Sequence, residues 1–418
     1  MKKIIYCLVA AMLLAACVKE DVSIAKVEEV KNPYAVTPDE AVQLLKTVIG
    51  GESTRAVSVG EIKTLRKSDF VPTTRGAEDG DVIYIVDLEN GGSAVMGADK
   101  RMEPIYAILD ETKISAEQLI TSATRSTEAD GNIEDFVVGA LNGAIQVDLM
   151  AAGDLLLPDM PIVPRPQYIT RTINLGSRSP LLETKWGWAA PYNNMYGSGV
   201  VSQDNAIVAI AQLFYYYRQP NSLGSYTFDW DLIAECEYGQ TPTAAAQTEV
   251  AEFVYTIAQI NNTPSAYEED DIYHTMIMSD YTPSYFALLG ADAAANTIKS
   301  NLDNNRLVFA KGTASNNNTT KYWLTDGYKF YREDTYLREY DPLGSGLFTD
   351  TLQSSITYKL CHCNFGYQGV CDGYYQTTVL DLSTRLTIKN VDLSNGDVQG
   401  TQGYSIVTSS VKYATINQ

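Results

Sequence analysis

The chain reads as an α+β protein whose sheet is antiparallel, and three observations predict this. Apolar residues recur at helical spacing through the first part and again across residues 205–302. A strand–turn–strand unit occupies 82–97, and from Arg306 onward the sequence is strand-rich. Helices followed by a run of strands, without strict alternation, is the α+β pattern.

In chain order, Val36-Thr37-Pro38-Asp39-Glu40-Ala41 opens the first helix. Thr37 is a natural N-cap, Pro38 suits the first helical position and Glu40 completes a capping box. Ala41, Leu44, Leu45 and Val48 form its apolar stripe, and Gly50-Gly51 ends it. Residues 52–80 carry no clear pattern, with Thr73-Thr74-Arg75-Gly76 as a loop. Val82-Ile83-Tyr84-Ile85-Val86-Asp87, the turn Glu89-Asn90-Gly91-Gly92 and Ser93-Ala94-Val95-Met96-Gly97 form a hairpin, and Ile105-Tyr106-Ala107-Ile108-Leu109 is a further strand. Helices are expected over 115–122 and 133–150. Pro158, Pro161, Pro164 and Pro166 exclude a regular helix or central strand there. The expected division is a first domain over 36–155, a linker over 156–178 and a second domain over 179–418. In the second domain, helices are expected over 205–217 (stopped by Pro220), 249–260 and 284–302.

Hydrophobic residues make up 45% and charged residues 20%, enough apolar material for a large core. A net charge of −20 argues against a nucleic-acid partner, because phosphate backbones need clustered cations. The 28 tyrosines suit rigid, partly exposed surfaces. Met1-Lys2-Lys3, a short apolar run and Leu14-Ala15-Ala16-Cys17 have the anatomy of a bacterial lipoprotein signal over 1–16. The run is too short to span a membrane. That likeness implies lipidation of Cys17, a tether over 17–35, and membrane contact through the lipid anchor only. Val18-Lys19-Glu20-Asp21 resembles the tags of lipoproteins sent to the outer membrane or cell surface. Four later cysteines remain. Cys363 and Cys371 flank a Gly-rich turn, so one disulfide or plain packing is expected there. Cys361 and Cys363 share one strand face and His362 the other, which speaks against zinc. No metal or cofactor is expected.

A family then comes into view. Pro180-Leu181-Leu182-Glu183-Thr184-Lys185-Trp186-Gly187, with Pro191-Tyr192-Asn193, resembles the opening segment of the streptopain family of papain-like cysteine peptidases. Ala209-Ile210-Ala211-Gln212 with its tyrosine tail resembles that family's nucleophile helix. Phe228-Asp229-Trp230-Asp231 is another such stretch. Trp323-Leu324-Thr325-Asp326-Gly327-Tyr328 resembles its histidine strand, and Asn364-Phe365-Gly366-Tyr367-Gln368-Gly369 with Asp372-Gly373-Tyr374-Tyr375 its asparagine loop. The order holds across about 180–380. More loosely, Ile83-Tyr84-Ile85-Val86, Gly91-Gly92, Ala98-Asp99 and Pro104-Ile105 resemble the family's inhibitory prodomain, which implies a prodomain docked over the cleft.

Such a peptidase needs a thiolate at a helix N-terminus, a histidine, an orienting asparagine and oxyanion donors. Carried over position by position, the resemblance puts Asn205 at the nucleophile, Lys321 at the histidine and Trp188 at the oxyanion glutamine. Asn364 keeps the orienting amide, beside Phe365. An amide is no nucleophile, and losing a nucleophile costs about 10⁶ in turnover, roughly 8 kcal/mol of barrier. Lysine, with a reference pKa of about 10.4 against about 6.5 for histidine, is a poor base at neutral pH. The expected function is therefore a pseudo-peptidase binding a peptide or protein, a related peptidase among the candidates. Lys321 is expected to bond Asn205 or Asp204, or to turn to water. The alternatives are a hydrolase using Ser202 with Lys321, and a structural or adhesive surface lipoprotein. Lys321 reads equally well as a solvated charge at a strand edge. His362 reads as a satisfied core histidine rather than a substitute base, and His274 as an exposed one. Asp99 and Asp110 have no partner that the sequence names.

Overall fold

A computed structural model describes residues 34–50, 58–70, 79–125, 133–153, 167–196, 205–259, 282–285, 290–314, 320–340, 348–380 and 409–417. The signal, the tether as far as residue 33, Cys17 within it, residues 154–166, Ser202, Asp204 and His274 lie outside them.

The compact unit from Val36 onward is organised by one antiparallel sheet of 11 strands. Helix α1 (Pro38–Ile49) begins as its sequence dictates. Thr37 Oγ1 accepts from the Glu40 N–H at 3.3 Å, and Glu40 Oε2 accepts from the Thr37 N–H at 2.8 Å. Its Ala41, Leu45 and Val48 pack on Tyr84, Val86 and Met96. Strand β1 (Val59–Arg66), which the sequence pattern missed, is an edge strand with few buried residues and so no clean alternation. After the short α2 (Lys67–Phe70) come β2 (Asp81–Leu88), β3 (Ser93–Gly97) and β4 (Ile105–Leu109). β2 is buried on both faces, Tyr84 and Val86 toward α1, Ile83 and Ile85 toward the helices that follow. Those are α3 (Ala116–Arg125) and α4 (Ile133–Gly153). Among the described residues no helix is long and apolar enough to cross a membrane.

The expected linker is strand in its second half. Residues 167–178 form β5 (Gln167–Arg178), paired along β10. Its alternation of Thr170, Thr172 and Asn174 with Ile169, Arg171 and Ile173 suits a strand, and only the proline cluster before it breaks the pattern.

Helix α5 (Asn205–Tyr217) is followed by the small hairpin β6 (Ser222–Leu223) and β7 (Tyr226–Thr227), then α6 (Trp230–Ala234) and α7 (Ala244–Gln259). α7 starts five residues before the expected 249, because Thr243 Oγ1 caps it by accepting from the Ala246 N–H. Strand β8 (Thr282–Tyr285) takes the start of the expected 284–302 helix, and α8 (Gly290–Asp303) the remainder. Then follow β9 (Val308–Ala314), β10 (Thr320–Tyr340), β11 (Phe348–Asn364), β12 (Gly373–Gln376), α9 (Thr377–Leu380) and β13 (Ser409–Asn417).

The sheet runs β1-β2-β3-β4-β12-β11-β10-β9-β13-β8, with β5 beside the distal part of β10. Its central fact is the β4–β12 pairing, Gly373 with Leu109, Tyr374 with Ile108 and Tyr375 with Ala107. The N-terminal strands thus join the later ones edge to edge. The core follows suit: Phe136 and Ile145 of α4 share one cluster with Trp323, Phe365 and Val379. A second core lies on the other side of β10, where Tyr322 and Leu324 meet α5 and α7.

Candidate functional site

α5 is apolar along nearly its whole length, and Gln212 is the exception within the 206–214 run. It is fully buried, and its partners explain it. Gln212 Oε1 accepts from Thr184 Oγ1 at 2.8 Å and from the Trp186 N–H at 3.3 Å. Its Nε2 donates to Asn364 Oδ1 at 3.0 Å. Asn364, at the end of β11, also accepts from the Gly366 N–H at 3.1 Å and donates from Nδ2 to the Thr184 carbonyl at 2.9 Å. The helix, the 180–187 segment and the 364–369 loop are therefore tied by one buried amide network. Gly187 is required in it, since a Cβ there would lie 2.6 Å from Gln368 Cγ and 2.9 Å from its nitrogen. Gly366, at φ +70°, lets the loop lie against Val208 in the first turn of α5.

The sequence-expected residues distribute around this network. Asn205 is the first residue of α5. Lys321 is not a solvated charge: it is 6% exposed, on β10, opposite Gly312 of β9. Its Nζ donates to the Tyr367 hydroxyl at 3.0 Å and lies 5.4 Å from that ring's centroid. The expected bond to Asn205 or Asp204 concerns side chains outside the described set. Asn364 is buried, but it commits its amide to Thr184, Gln212 and Gly366, and none of these is Lys321. Asn364 lies opposite Leu324, which packs toward α5, whereas Trp323 packs to the other side against Phe365 at 5.4 Å. Trp188 is half-buried with its ring 4.7 Å from that of Tyr196, and its carbonyl accepts from Asn193 Nδ2 at 3.3 Å. Thr184, Gln212 and Tyr367 carried no role in the sequence reading. A lone polar residue in an apolar helix was the signal available for Gln212.

The four described cysteines are buried free thiols. The Cys363–Cys371 disulfide does not form, and both residues pack in the core. Burial pushes the Cys236 thiol up to about 11 and Cys361 to about 12, and it raises Cys363 and Cys371 as well. None of these is poised as a thiolate.

His362 is a core histidine with carboxylates on both ring nitrogens. Nδ1 is 2.6 Å from Asp326 Oδ1, and Nε2 is 3.0 Å from Asp110 Oδ2. Asp110 thus has the partner that the sequence could not name, and Asp99 has one in Arg101. Burial would lower the His362 pKa, but Asp326 and Asp110 together hold it well above the ordinary value. Asp372, which accepts from the Phe365 N–H at 2.8 Å, is lifted by burial to about 7.

No family model matches the chain, and no curated protein does. A solved structure similar to it is a fragment of prointerpain A from Prevotella intermedia. It is 14% identical, with a TM-score of 0.48, over 84% of this chain and 98% of that one.

Proposed function

We propose that this chain is an inactive homologue of the streptopain-type papain-like cysteine peptidases, exported and lipid-anchored at Cys17, which binds a peptide or protein without cutting it. One observation carries the reading. The position that the family resemblance gives to the catalytic histidine holds Lys321, buried and hydrogen-bonded to the Tyr367 phenol. An ammonium donates and cannot accept, so in that state it takes no proton from a nucleophile. Two further facts support it. The Asn364 amide is spent on structural bonds, and the described cysteines are buried thiols. A scaffold that keeps its helix, strand and loop while lacking acid–base groups is suited to holding a chain rather than hydrolysing it.

The test is to incubate the purified chain with casein and with a mixed peptide library, then to read new termini and retained peptides by mass spectrometry. The expected result is retention of intact peptides with no new termini. Cleavage overturns inactivity, and absence of retention overturns binding. Cys17→Ser should abolish labelling by a fatty-acid analogue in a bacterial host. Labelling that persists removes the anchor.

A further inference from the structure

A second cleft lies at the foot of a three-stranded ribbon, away from Lys321 and Asn364. The ribbon is β5, the distal part of β10 and the first part of β11. Directly opposed residues on antiparallel neighbours share a face. Two such rows are Thr170–Thr335–Ser354 and Thr172–Glu333–Ile356. They floor a cleft of about 570 Å³ whose walls are α1 and the turn between β3 and β4. Its charged side chains include Glu333 on the floor, Glu40 on α1 and Lys100 on the turn.

Glu333 is the first observation that points to a ligand. It is half-buried and its carboxylate, among the described residues, accepts no hydrogen bond and has no ion-pair partner; burial raises its pKa, and Lys100 is the one cation pulling it down. A carboxylate removed from water without a partner is costly unless something pairs with it.

The second observation is independent. β12 pairs with β11 only over 360–363, and over 349–358 β11 has main-chain pairing on its β10 side alone among the described residues. The Lys359 N–H turns away from β10, to Gln376 Oε1 at 3.0 Å. Alternation therefore turns the main-chain groups of Thr357 and Ser355 outward as well. Open edges are ordinarily guarded by charges, prolines or bulges. Here a bulge at Gln353 and the charge of Asp350 guard the far half. From Ser354 to Tyr358 there is no charge and no proline, and Ile356 is 51% exposed.

We propose that the open edge at 354–358 takes an extended peptide as an added strand, and that the cleft beside it receives a lysine or arginine side chain of that peptide, whose cation meets Glu333. The spacing selects the long cationic residues. A peptide residue opposite Ile356 sits two strand spacings, about 10 Å, from the Glu333 position. A lysine or arginine stem lies over Ile356 and carries its charge across, as long cationic side chains do on apolar surface. Glu333 and Glu40 against Lys100, with Asp99 also lining the cleft and paired to Arg101, on a chain of net charge −20, turn acidic peptides away. Main-chain pairing supplies affinity and the side-chain pocket supplies selection.

The test uses labelled, blocked heptapeptides Thr-Val-Thr-X-Thr-Val-Thr, with X as Arg, Lys, Gln, Glu or norleucine, titrated against the full chain by fluorescence anisotropy. The Arg and Lys peptides should bind about tenfold or more tightly than the Gln and Glu ones, as expected for a charge-assisted pair. Glu333→Gln should erase that preference while leaving weak binding of all five. Thr357→Pro, which removes an outward N–H and leaves pairing with β10 intact, should weaken all five together. Circular dichroism melting shows whether each variant is folded, and Leu352→Pro, whose N–H also turns away from β10 but at the guarded end, serves as a second proline control. No binding, no basic preference, or a preference unchanged in Glu333→Gln overturns the proposal. Self-association abolished by Thr357→Pro but indifferent to Glu333→Gln overturns it in favour of a second copy of the chain. Peptide retention lost in Tyr367→Ala but kept in both ribbon variants belongs to the other cleft.

Discussion

His362 Nε2 lies 3.0 Å from Oδ2 of Asp110, a residue 252 positions earlier in the chain. The contact fastens β11 to the end of β4, beside the β4–β12 pairing, and Asp326 closes the other side of the ring. Its pH dependence has a definite sign. The native pKa of His362 is raised, whereas the unfolded chain titrates near 6.5. The native state therefore keeps a proton that the unfolded state loses. This contribution is fully present below about 6.5 and is lost as pH rises through the native pKa. Asp372, lifted to about 7, acts in the same direction over a lower window, from about 3.9 upward. The melting temperature should therefore fall between pH 6 and pH 9, and Asp110→Asn should reduce that fall. A melting temperature that rises over this range contradicts a protonated His362.

Truncating the two carboxylates should have unequal costs. Asp326 is fully buried and also accepts from the Leu182 N–H, whereas Asp110 is 34% exposed. Removing the buried partner of a charged pair costs about 3–5 kcal/mol. Screening by solvent cuts the Asp110 pair to about 1 kcal/mol. Urea denaturation of Asp326→Asn and Asp110→Asn should reproduce that order. Equal losses would mean that Asp110 is not the weaker hold.

Gln212→Leu should lower stability by about 1–3 kcal/mol, because it strands the Thr184 hydroxyl and part of the Asn364 amide in the core. The shape is nearly kept, so the loss measures the hydrogen bonds rather than a cavity. A double-mutant cycle with Thr184→Val should give a coupling of about 0.5 kcal/mol or more. Additive losses would refute the network.

These residues also mark how far the sequence could be read. The capping box at Thr37 and Glu40, the hairpin over 82–97 and the helix from Asn205 were legible because local pattern alone dictates them. The ordered matches from Pro180 to Tyr375 located Lys321 and Asn364 on neighbouring strands. The commitment of the Asn364 amide was not legible, because it depends on the Leu324–Asn364 register and on Gln212 competing for that amide. The β4–β12 pairing is likewise long-range, and β4 looks the same in sequence whether it ends a sheet or continues one. β5 was hidden by the prolines ahead of it, and β1 by its exposure.

The edge-to-edge joining makes a prediction about processing. The uncut chain should stay whole on storage, since no self-cleaving group is expected. Cutting at a protease site engineered between residues 153 and 167 should not separate the halves. They share the β4–β12 pairing and the core around Phe136 and Trp323, so both fragments should co-elute on gel filtration. Gly373→Ala should weaken this, because its Cβ would lie 2.3 Å from the Ile108 carbonyl oxygen and force the strands apart. Fragments that separate without denaturant would show the two parts to be independent.

The last prediction tests the proposed inactivity by adding chemistry to the proposed site. Asn205→Cys alone would put a thiol at the N-terminus of α5, where helix N–H groups favour a thiolate. Lys321 would still be buried and held by Tyr367, and Asn364 would still be bound to Gln212 and Thr184. With no histidine to move the proton and Trp188 in place of an amide donor, the single variant should not hydrolyse casein. Asn205→Cys with Lys321→His and Trp188→Gln supplies nucleophile, base and donor together. In this variant the imidazole must also find an orienting partner, and the Asn364 amide is already committed. The triple variant should therefore gain measurable turnover that stays low, and further substitution of Gln212 by Ala, which leaves Asn364 Oδ1 with the Gly366 N–H alone, should raise it. Casein hydrolysis and labelling by a thiol-directed inhibitor would be measured for all three. Robust turnover from Asn205→Cys alone would show that Lys321 and Trp188 are no obstacle. Triple-variant turnover unaffected by Gln212→Ala would show that the Asn364 network does not limit the chemistry.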